Sequence, residues 1–291
     1  MTPPRHARVV AGIPMRWEEQ GTGVPVVLLH GIPTGPALWR HVLPLVDGAR
    51  LLAWEMVGYA GSIAEGHGRS IGVAQQAEYL REWLDALGLD RVVLAGHDLG
   101  GGVAHILAVR YPERCAGLLL TNCVGYDSWP IPSVKLLRAL GGVVRHLPNS
   151  VVKQGIFQML MGRGHDDQGV AAESLETHWA HYAAGAAGEA LIWQMKALDV
   201  RDTLSVSPQL SRLRGLPARV VWGVADQFQK VGYGERFARD LGVTLERIEG
   251  GKHFTPEDHP GRIAGALRAL ISAVGAQSPI PASSILESEN R

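Results

Sequence analysis

The sequence predicts an α/β fold, with a mostly parallel twisted sheet, helices on both of its faces and an inserted helical lid. Short runs rich in β-branched residues alternate with longer amphipathic stretches, which is typical of a parallel sheet covered by helices. The strand-like signal then disappears between residues 126 and 209 and returns at Ala218, which indicates a purely helical insertion. The predicted strands are residues 24–29, 50–54, 91–95, 118–122, 218–222 and 244–249.

The elements flanking these strands complete the predicted core. Residues 8–20 contain two strand-like pieces separated by Gly and Pro, which predicts an antiparallel hairpin at the start of the sheet. Residues 73–87 are predicted to form a helix, because Ala77, Leu80 and Leu84 recur at spacings of three and four. The predicted division is a core domain of residues 1–125 and 210–276, a cap (lid) domain of residues 126–209, and a flexible tail of residues 277–291.

Composition limits the classes of partner. The 291-residue chain has 28 Lys and Arg against 28 Asp and Glu, so its formal charge is zero. It therefore lacks the net positive charge that would attract a nucleic acid. With 46% hydrophobic and 19% charged residues it is expected to fold. The first ten residues lack the apolar core of a signal peptide, and no apolar run approaches the roughly 18 residues of a membrane span. We therefore predict a cytoplasmic protein with no membrane partner.

Residues 92–102 (VVLAGHDLGGG) combine an apolar strand, a Gly-rich turn and the start of a helix. This is the pattern of a nucleophile elbow, G-x-nucleophile-x-G, in which the central residue lies on a strained strand-to-helix turn. Gly96 and Gly100 flank Asp98, as the close approach of strand and helix requires. Taken alone, the motif also fits a Gly-rich turn that only packs a helix on a sheet. Asp98 is the candidate nucleophile.

Three further segments follow predicted strands, in the order that an enzyme with a nucleophile elbow needs. The loop after the first buried strand can aim the backbone N–H of Ile32 at the elbow, and with the N–H of Leu99 it would form an oxyanion hole. Asp226 and His253 each come directly after one of the last two predicted strands. Nucleophile, acid and histidine then follow the chain order of a hydrolase triad. Asp127 is the alternative for the acid.

The chain resembles α/β hydrolases of the branch with an aspartate nucleophile, which holds haloalkane dehalogenases, epoxide hydrolases and fluoroacetate dehalogenases. The resemblance extends over about residues 8–274 and is carried by residues 30–40 (HGIPTGPALWR), 96–101 (GHDLGG), 222–226 and 251–254. It implies a triad of Asp98, Asp226 and His253, with no cofactor and no metal ion. Because a carboxylate suits displacement at a saturated carbon, we expect an alkyl ester on Asp98 that His253-activated water hydrolyses.

At the positions that stabilise the leaving group, this chain differs from two of these families. Haloalkane dehalogenases usually carry Trp after the nucleophile and Asn or Glu after the His-Gly pair, where this chain has Leu99 and Ile32. Fluoroacetate dehalogenases tend to carry Arg directly after the nucleophile, at the position of Leu99. Epoxide hydrolases protonate the alkoxide with Tyr from the lid, and here Tyr182, helped by His178 or His181, is the candidate. The first hypothesis is therefore an epoxide hydrolase that opens a hydrophobic epoxide to a vicinal diol.

Aromatic residues are predicted to line an apolar substrate pocket. They are Trp39, Trp129, Trp179, Trp193 and Tyr126. The alternative function is a haloalkane dehalogenase with the same triad, in which Trp179 or Trp193 binds the halide. An alternative of another class is a non-catalytic protein that binds a ligand. The expected partners are a small hydrophobic substrate and water, and a homodimer stays open.

Overall fold

The computed structural model describes residues 3–277, and these contain an eight-stranded sheet. The strands are β1 (Arg5–Val10), β2 (Ile13–Gln20), β3 (Val24–Leu29), β4 (Ala49–Trp54), β5 (Val92–Asp98), β6 (Cys115–Cys123), β7 (Ala218–Gly223) and β8 (Leu245–Ile248). Their order across the sheet is β1-β2-β4-β3-β5-β6-β7-β8. The β1–β2 hairpin and the β2–β4 pair are antiparallel, and all other pairs are parallel. The predicted mostly parallel sheet and its leading hairpin are confirmed.

The central strands are apolar along their whole length because helices cover the sheet on both faces. Every residue of β5 and β6 is buried, as expected for parallel strands packed on two sides. The predicted strand of residues 91–95 extends further, to Asp98, and the one of residues 118–122 begins earlier, at Cys115. These extensions bring the Gly-rich turn and the following helix directly to the carboxyl edge of the sheet.

Twelve α-helices are found in the described chain. They are α1 (Val73–Ala86), α2 (Leu99–Arg110), α3 (Pro132–Ala139), α4 (Gly141–Val144), α5 (Asn149–Val151), α6 (Gln158–Gly164), α7 (Gln168–Ala183), α8 (Ala187–Lys196), α9 (Arg201–Leu204), α10 (Val231–Leu241), α11 (Thr255–Asp258) and α12 (Pro260–Gln277). A π-helical segment, Val152–Phe157, joins α5 to α6. In α1, the predicted apolar stripe of Ala77, Leu80 and Leu84 is buried. None of the helices within residues 3–277 has the length and apolar character needed to cross a membrane.

Helices α3 to α9 all lie between β6 and β7, where the described chain forms no strand. Side chains of α6 and α8, such as Leu160 and Met195, share a cavity with Asp98 and Leu99 at the carboxyl edge of the sheet. The helical segment therefore covers that edge. The cap boundaries at residues 126 and 209 stay a prediction, and the predicted tail lies outside the described residues except for Gln277, which ends α12.

Candidate active site

Asp98 lies at the junction of β5 and α2, where the backbone turns sharply. Its φ of 49° and ψ of −123° lie outside the ordinary strand and helix regions, and a positive φ is tolerated by Asp better than by most residues. A side chain at Gly100 would overlap the carbonyl oxygen of Leu29, so only glycine allows α2 to start this close to β3. The turn therefore holds the Asp98 carboxylate above the edge of the sheet, in the geometry of a nucleophile elbow.

Backbone N–H groups hold this carboxylate in place. The N–H of Ile32 donates to Asp98 Oδ2 at 3.0 Å, and the N–H of Leu99 also bonds to the carboxylate. A side chain at Gly31 would overlap Asp98 Oδ2, so the loop after β3 can approach the carboxylate only with glycine there. The two groups predicted for the oxyanion hole thus face Asp98. The bond from Ile32 is made to Oδ2, and Oδ1 is the oxygen that faces His253.

His253 faces Oδ1 of Asp98 and is oriented by Asp226. Its Nε2 lies 4.0 Å from Asp98 Oδ1, and its Nδ1 lies 2.9 Å from Asp226 Oδ2. An ionised Asp226 can only accept, so Nδ1 carries the proton and Nε2 presents its lone pair toward Asp98. The structure therefore brings together the three side chains of the predicted triad, in an arrangement suited to removing a proton from a water molecule beside Asp98.

Asn122, which the sequence analysis did not single out, holds Asp226 in place. Its Nδ2 donates to Asp226 Oδ2 at 2.7 Å, while its Oδ1 accepts from the N–H of Gly223 at 2.9 Å. The N–H of Phe228 donates to the other oxygen, Asp226 Oδ1, at 2.7 Å. Since parallel strands end at one edge, a polar residue at the end of β6 beside β7 was the available signal. These donors keep the Asp226 carboxylate fixed toward His253.

Asp127 is wrong as the alternative acid. Its side chain is 66% exposed and lies 3.6 Å from the guanidinium of Arg236, away from His253. It follows β6 by four residues and has already left the edge of the sheet where the triad assembles.

Burial and neighbouring charges shift the pKa values of Asp98 and His253. Burial raises the pKa of Asp98, against the opposing effect of His253 and the two N–H groups. Burial by itself would lower the pKa of His253, but the attraction and hydrogen bond of Asp226 outweigh it, so this pKa is raised. Asp226 therefore stabilises the imidazolium that forms when His253 takes a proton.

An apolar cavity opens above Asp98. It holds about 620 Å³ of space, a figure that includes volume open to solvent. Its apolar lining consists of Ile32, Pro33, Leu99, Val124, Trp129, Pro130, Ile131, Val134, Leu160, Leu191, Met195, Leu198, Phe228 and Phe254. Among the described residues, the polar side chains that line it are Asp98, His253 and Gln229. The cavity is suited to a small, uncharged, largely apolar molecule.

Of the five aromatic residues predicted to line the pocket, only Trp129 does so. The prediction is wrong for the other four, which are Trp39, Trp179, Trp193 and Tyr126. Trp39 and Trp179 are buried in the hydrophobic core on one side of the sheet. Trp193 stacks on His67 at a centroid distance of 5.1 Å, and the hydroxyl of Tyr126 donates to Asp240 at 2.8 Å. Their aromatic surface is thus used in packing rather than in the cavity.

The prediction that Tyr182 protonates a leaving group is also wrong for this structure. Its hydroxyl donates to Gln194 Oε1 at 2.7 Å, and its side chain is buried against Phe157, outside the cavity. His178, its suggested helper, bonds to Glu257 instead. The indole N–H of Trp129 donates to Thr203 at 2.7 Å and is therefore not free for a substrate.

Known proteins place this chain in a family. A family model described as alpha/beta hydrolase fold matches residues 24–260. The chain is 27% identical over 267 residues to haloalkane dehalogenase 2 of Mycobacterium tuberculosis, covering 87% of this chain and 90% of that protein. It is 26% identical over 271 residues to epoxide hydrolase 4 of Mus musculus, covering 84% of this chain and 72% of that protein.

Solved structures agree on the fold. An α/β hydrolase fold protein from Burkholderia ambifaria matches 90% of this chain and 96% of its own, with a TM-score of 0.78 and 21% identity. Together with the aspartate at the elbow, these matches mean that the chain belongs to the α/β-hydrolase fold family, in the branch with an aspartate nucleophile, and is a hydrolase.

Proposed function

We propose that the chain hydrolyses the carbon–halogen bond of a small apolar haloalkane through an alkyl ester on Asp98. The observation that carries this proposal is the set of polar side chains lining the described cavity: Asp98, His253 and the neutral amide of Gln229. An amide N–H can solvate a departing halide, but it cannot supply the proton that an alkoxide from an epoxide requires. This set therefore favours a leaving group that departs as a stable anion.

The proposed reaction has two steps. First, Asp98 Oδ1 attacks the saturated carbon, the carbon–halogen bond breaks, and its electron pair leaves with the halide. Then His253 Nε2 takes a proton from water, whose oxygen attacks the ester carbonyl carbon. The charge that develops on Oδ2 is stabilised by the N–H groups of Ile32 and Leu99. Collapse releases the alcohol, which takes the proton from His253, and Asp98 loses its own proton to solvent.

Epoxide hydrolysis is the second candidate, and one observation favours it. The pKa of His253 is raised by Asp226, and its Nε2 lies near Asp98 Oδ1, so an imidazolium there can protonate the alkoxide of an opened epoxide. The position of Tyr182, however, removes the residue on which the sequence-based preference for an epoxide rested.

Parallel assays of the two substrate classes test the proposal. The purified chain is incubated separately with bromobutane, chlorobutane and styrene oxide, and halide ion and diol are quantified. We expect halide from the haloalkanes and no diol from the epoxide. Diol from styrene oxide without halide from either haloalkane would contradict the proposal and support the second candidate. No product and no bound ester with any of the three would support the non-catalytic alternative.

Ester hydrolysis is expected to depend on pH through His253. Only the neutral imidazole can take a proton from water, so the rate rises as pH passes through the pKa of His253, which Asp226 raises. In Asp226→Asn the cause of the raised pKa is removed, so the midpoint moves to lower pH and the plateau falls by roughly 10³-fold or more. Decay of the ester, followed by quenched-flow mass spectrometry, measures both quantities.

The matched control for this experiment is Asp127→Asn, which removes an exposed carboxylate away from His253. It is expected to leave both the midpoint and the plateau unchanged. An Asp226→Asn profile with the wild-type midpoint would mean that the raised pKa has another origin.

A further inference from the structure

Gln229 is a buried amide at the cavity that the triad does not use. It lies in the loop between β7 and α10, three residues after Asp226, and is only 3% exposed. Gln229 lines the same cavity as Asp98 and His253, and its Oε1 is enclosed without a hydrogen-bond partner in the described structure. A polar group that can form a further hydrogen bond therefore lies at this cavity.

Other buried glutamines of the chain show how unusual this is. Gln76 accepts from the N–H of Val57 and donates to the carbonyl oxygen of the same residue. Gln194 accepts from Tyr182 and donates to the carbonyl oxygen of Gly58. Because an unpaired buried amide is costly, proteins generally satisfy such groups as these two are satisfied. The Oε1 of Gln229 lacks such a partner, so nothing within the described structure fixes the orientation of this amide and it is available to a ligand.

The loop around Gln229 is rigidly attached to the catalytic machinery. The carbonyl oxygen of Gln229 accepts from the indole N–H of Trp222 at 2.8 Å. The N–H of the preceding Phe228 donates to Asp226, and the Phe228 ring packs edge-on against His253 at 5.1 Å. The backbone that carries the amide is thus held by the loop that also orients the triad, while the amide group itself keeps its last rotation.

We propose that the side-chain amide of Gln229 binds the departing halide during alkylation of Asp98. This inference rests on the proposed function. Rotation about the last side-chain torsion exchanges the amide oxygen and nitrogen, and no partner of Oε1 opposes that exchange. An N–H of Gln229 then faces the halogen as the carbon–halogen bond breaks and the electron pair leaves with it. No proton is transferred in this step.

The test uses Gln229→Leu, which replaces the amide by an apolar side chain of similar size. Alkylation is isolated in a His253→Gln background, in which the ester accumulates, and is timed by intact-protein mass with bromobutane and chlorobutane. We expect alkylation to slow by roughly tenfold or more. The loss is expected to be larger for chlorobutane, since the poorer leaving group depends more on stabilisation. Bromide ion is also expected to bind more weakly, as measured by calorimetric titration.

Two further variants keep the result interpretable. Gln227→Leu changes an exposed neighbour that bonds to Arg163 outside this cavity, and is expected to behave as the parent. Gln229→Met repeats the removal of the amide with a more adaptable side chain. Thermal melting is expected to show both Gln229 variants folded and at least as stable as the parent, because an unpaired buried group has been removed.

The outcomes separate this inference from the proposed function. If the parent is alkylated by haloalkanes and both Gln229 variants keep its rate and its preference between bromide and chloride, Gln229 does not bind the halide. If Gln227→Leu shows the same losses, the effect is not specific to the cavity and the inference is overturned. If the parent itself is not alkylated by any haloalkane, the proposed function fails and the inference fails with it.

Discussion

Replacement of His253 by Gln is expected to leave Asp98 permanently alkylated after exposure to a haloalkane. Attack by Oδ1 needs only the ionised carboxylate, whereas hydrolysis of the ester needs Nε2 to take a proton from water. A glutamine cannot act as that base, so the hydrolysis step slows by roughly 10²–10⁴-fold while alkylation continues. Intact-protein mass spectrometry is expected to show the mass of the alkyl group in place of one hydrogen, and peptide mapping should locate it on Asp98.

The control for this trap is the double variant Asp98→Asn with His253→Gln. Asn tolerates the positive φ of this position nearly as well as Asp, so the turn is retained while the carboxylate is lost. No adduct is expected. An adduct in the double variant, or on a residue other than Asp98, would show that the nucleophile lies elsewhere. Wild-type turnover by the single variant would show that another group activates the water.

The trap also separates the mechanism from the choice of substrate. Attack of Asp98 on an epoxide leaves a hydroxyalkyl ester, and attack on a haloalkane leaves an alkyl ester. Both esters need the same activated water, so both accumulate when His253 is replaced. The adduct mass therefore identifies the substrate class even where turnover is slow.

The triad could be predicted from the sequence because the strand before each member sets that member's position. Asp98 ends a strand, and Asp226 and His253 each follow one within five residues. Because parallel strands end at one edge of the sheet, these positions bring the three residues together. The elbow carries its own signal in Gly96 and Gly100, since close backbone contacts there exclude side chains. The strands of the sheet could be predicted equally well, because strands buried on both faces form short, wholly apolar runs.

The walls of the cavity could not be predicted in the same way. The amphipathic pattern of a helical segment shows which residues are buried, but it does not show whether they face the core or the cavity. Trp179 and Tyr182 therefore pack against Phe157 instead of facing the substrate space. Gln229 was missed for the opposite reason, since a glutamine in a polar loop usually faces solvent. Only the packing of this loop on β7 shows that it is buried.

Replacement of Glu257 is expected to reduce the stability of the fold strongly. Its side chain is fully buried on α11, four residues after His253. Oε2 accepts from His165 at 3.0 Å and from Ser174 at 2.7 Å, while Oε1 accepts from His178 at 3.2 Å and from the guanidinium of Arg40. Ser174 and His178 belong to α7, so this carboxylate connects the helical segment to the loop that carries His253.

We expect Glu257→Gln to lower the free energy of unfolding by about 3–5 kcal/mol, because it removes the negative charge from a buried cluster and leaves its donors uncompensated. Urea denaturation followed by circular dichroism measures the change. The matched control is Glu173→Gln, since Glu173 also pairs with Arg40 but is 51% exposed. An exposed pair of this kind contributes at most about 1 kcal/mol. Equal losses in the two variants would show that burial of the cluster adds nothing.

The dependence of this difference on pH follows from the carboxyl group itself. Burial would raise the pKa of Glu257, but the charges and hydrogen bonds of His178, His165 and Arg40 outweigh it and hold this pKa well below 4.5. A group with a lowered folded pKa stabilises the fold above its unfolded pKa and loses that contribution as pH falls through the folded value. The difference between wild type and Glu257→Gln should therefore persist at neutral pH and shrink only in acid. A difference that disappeared near neutral pH would assign the stabilisation to another group of the cluster.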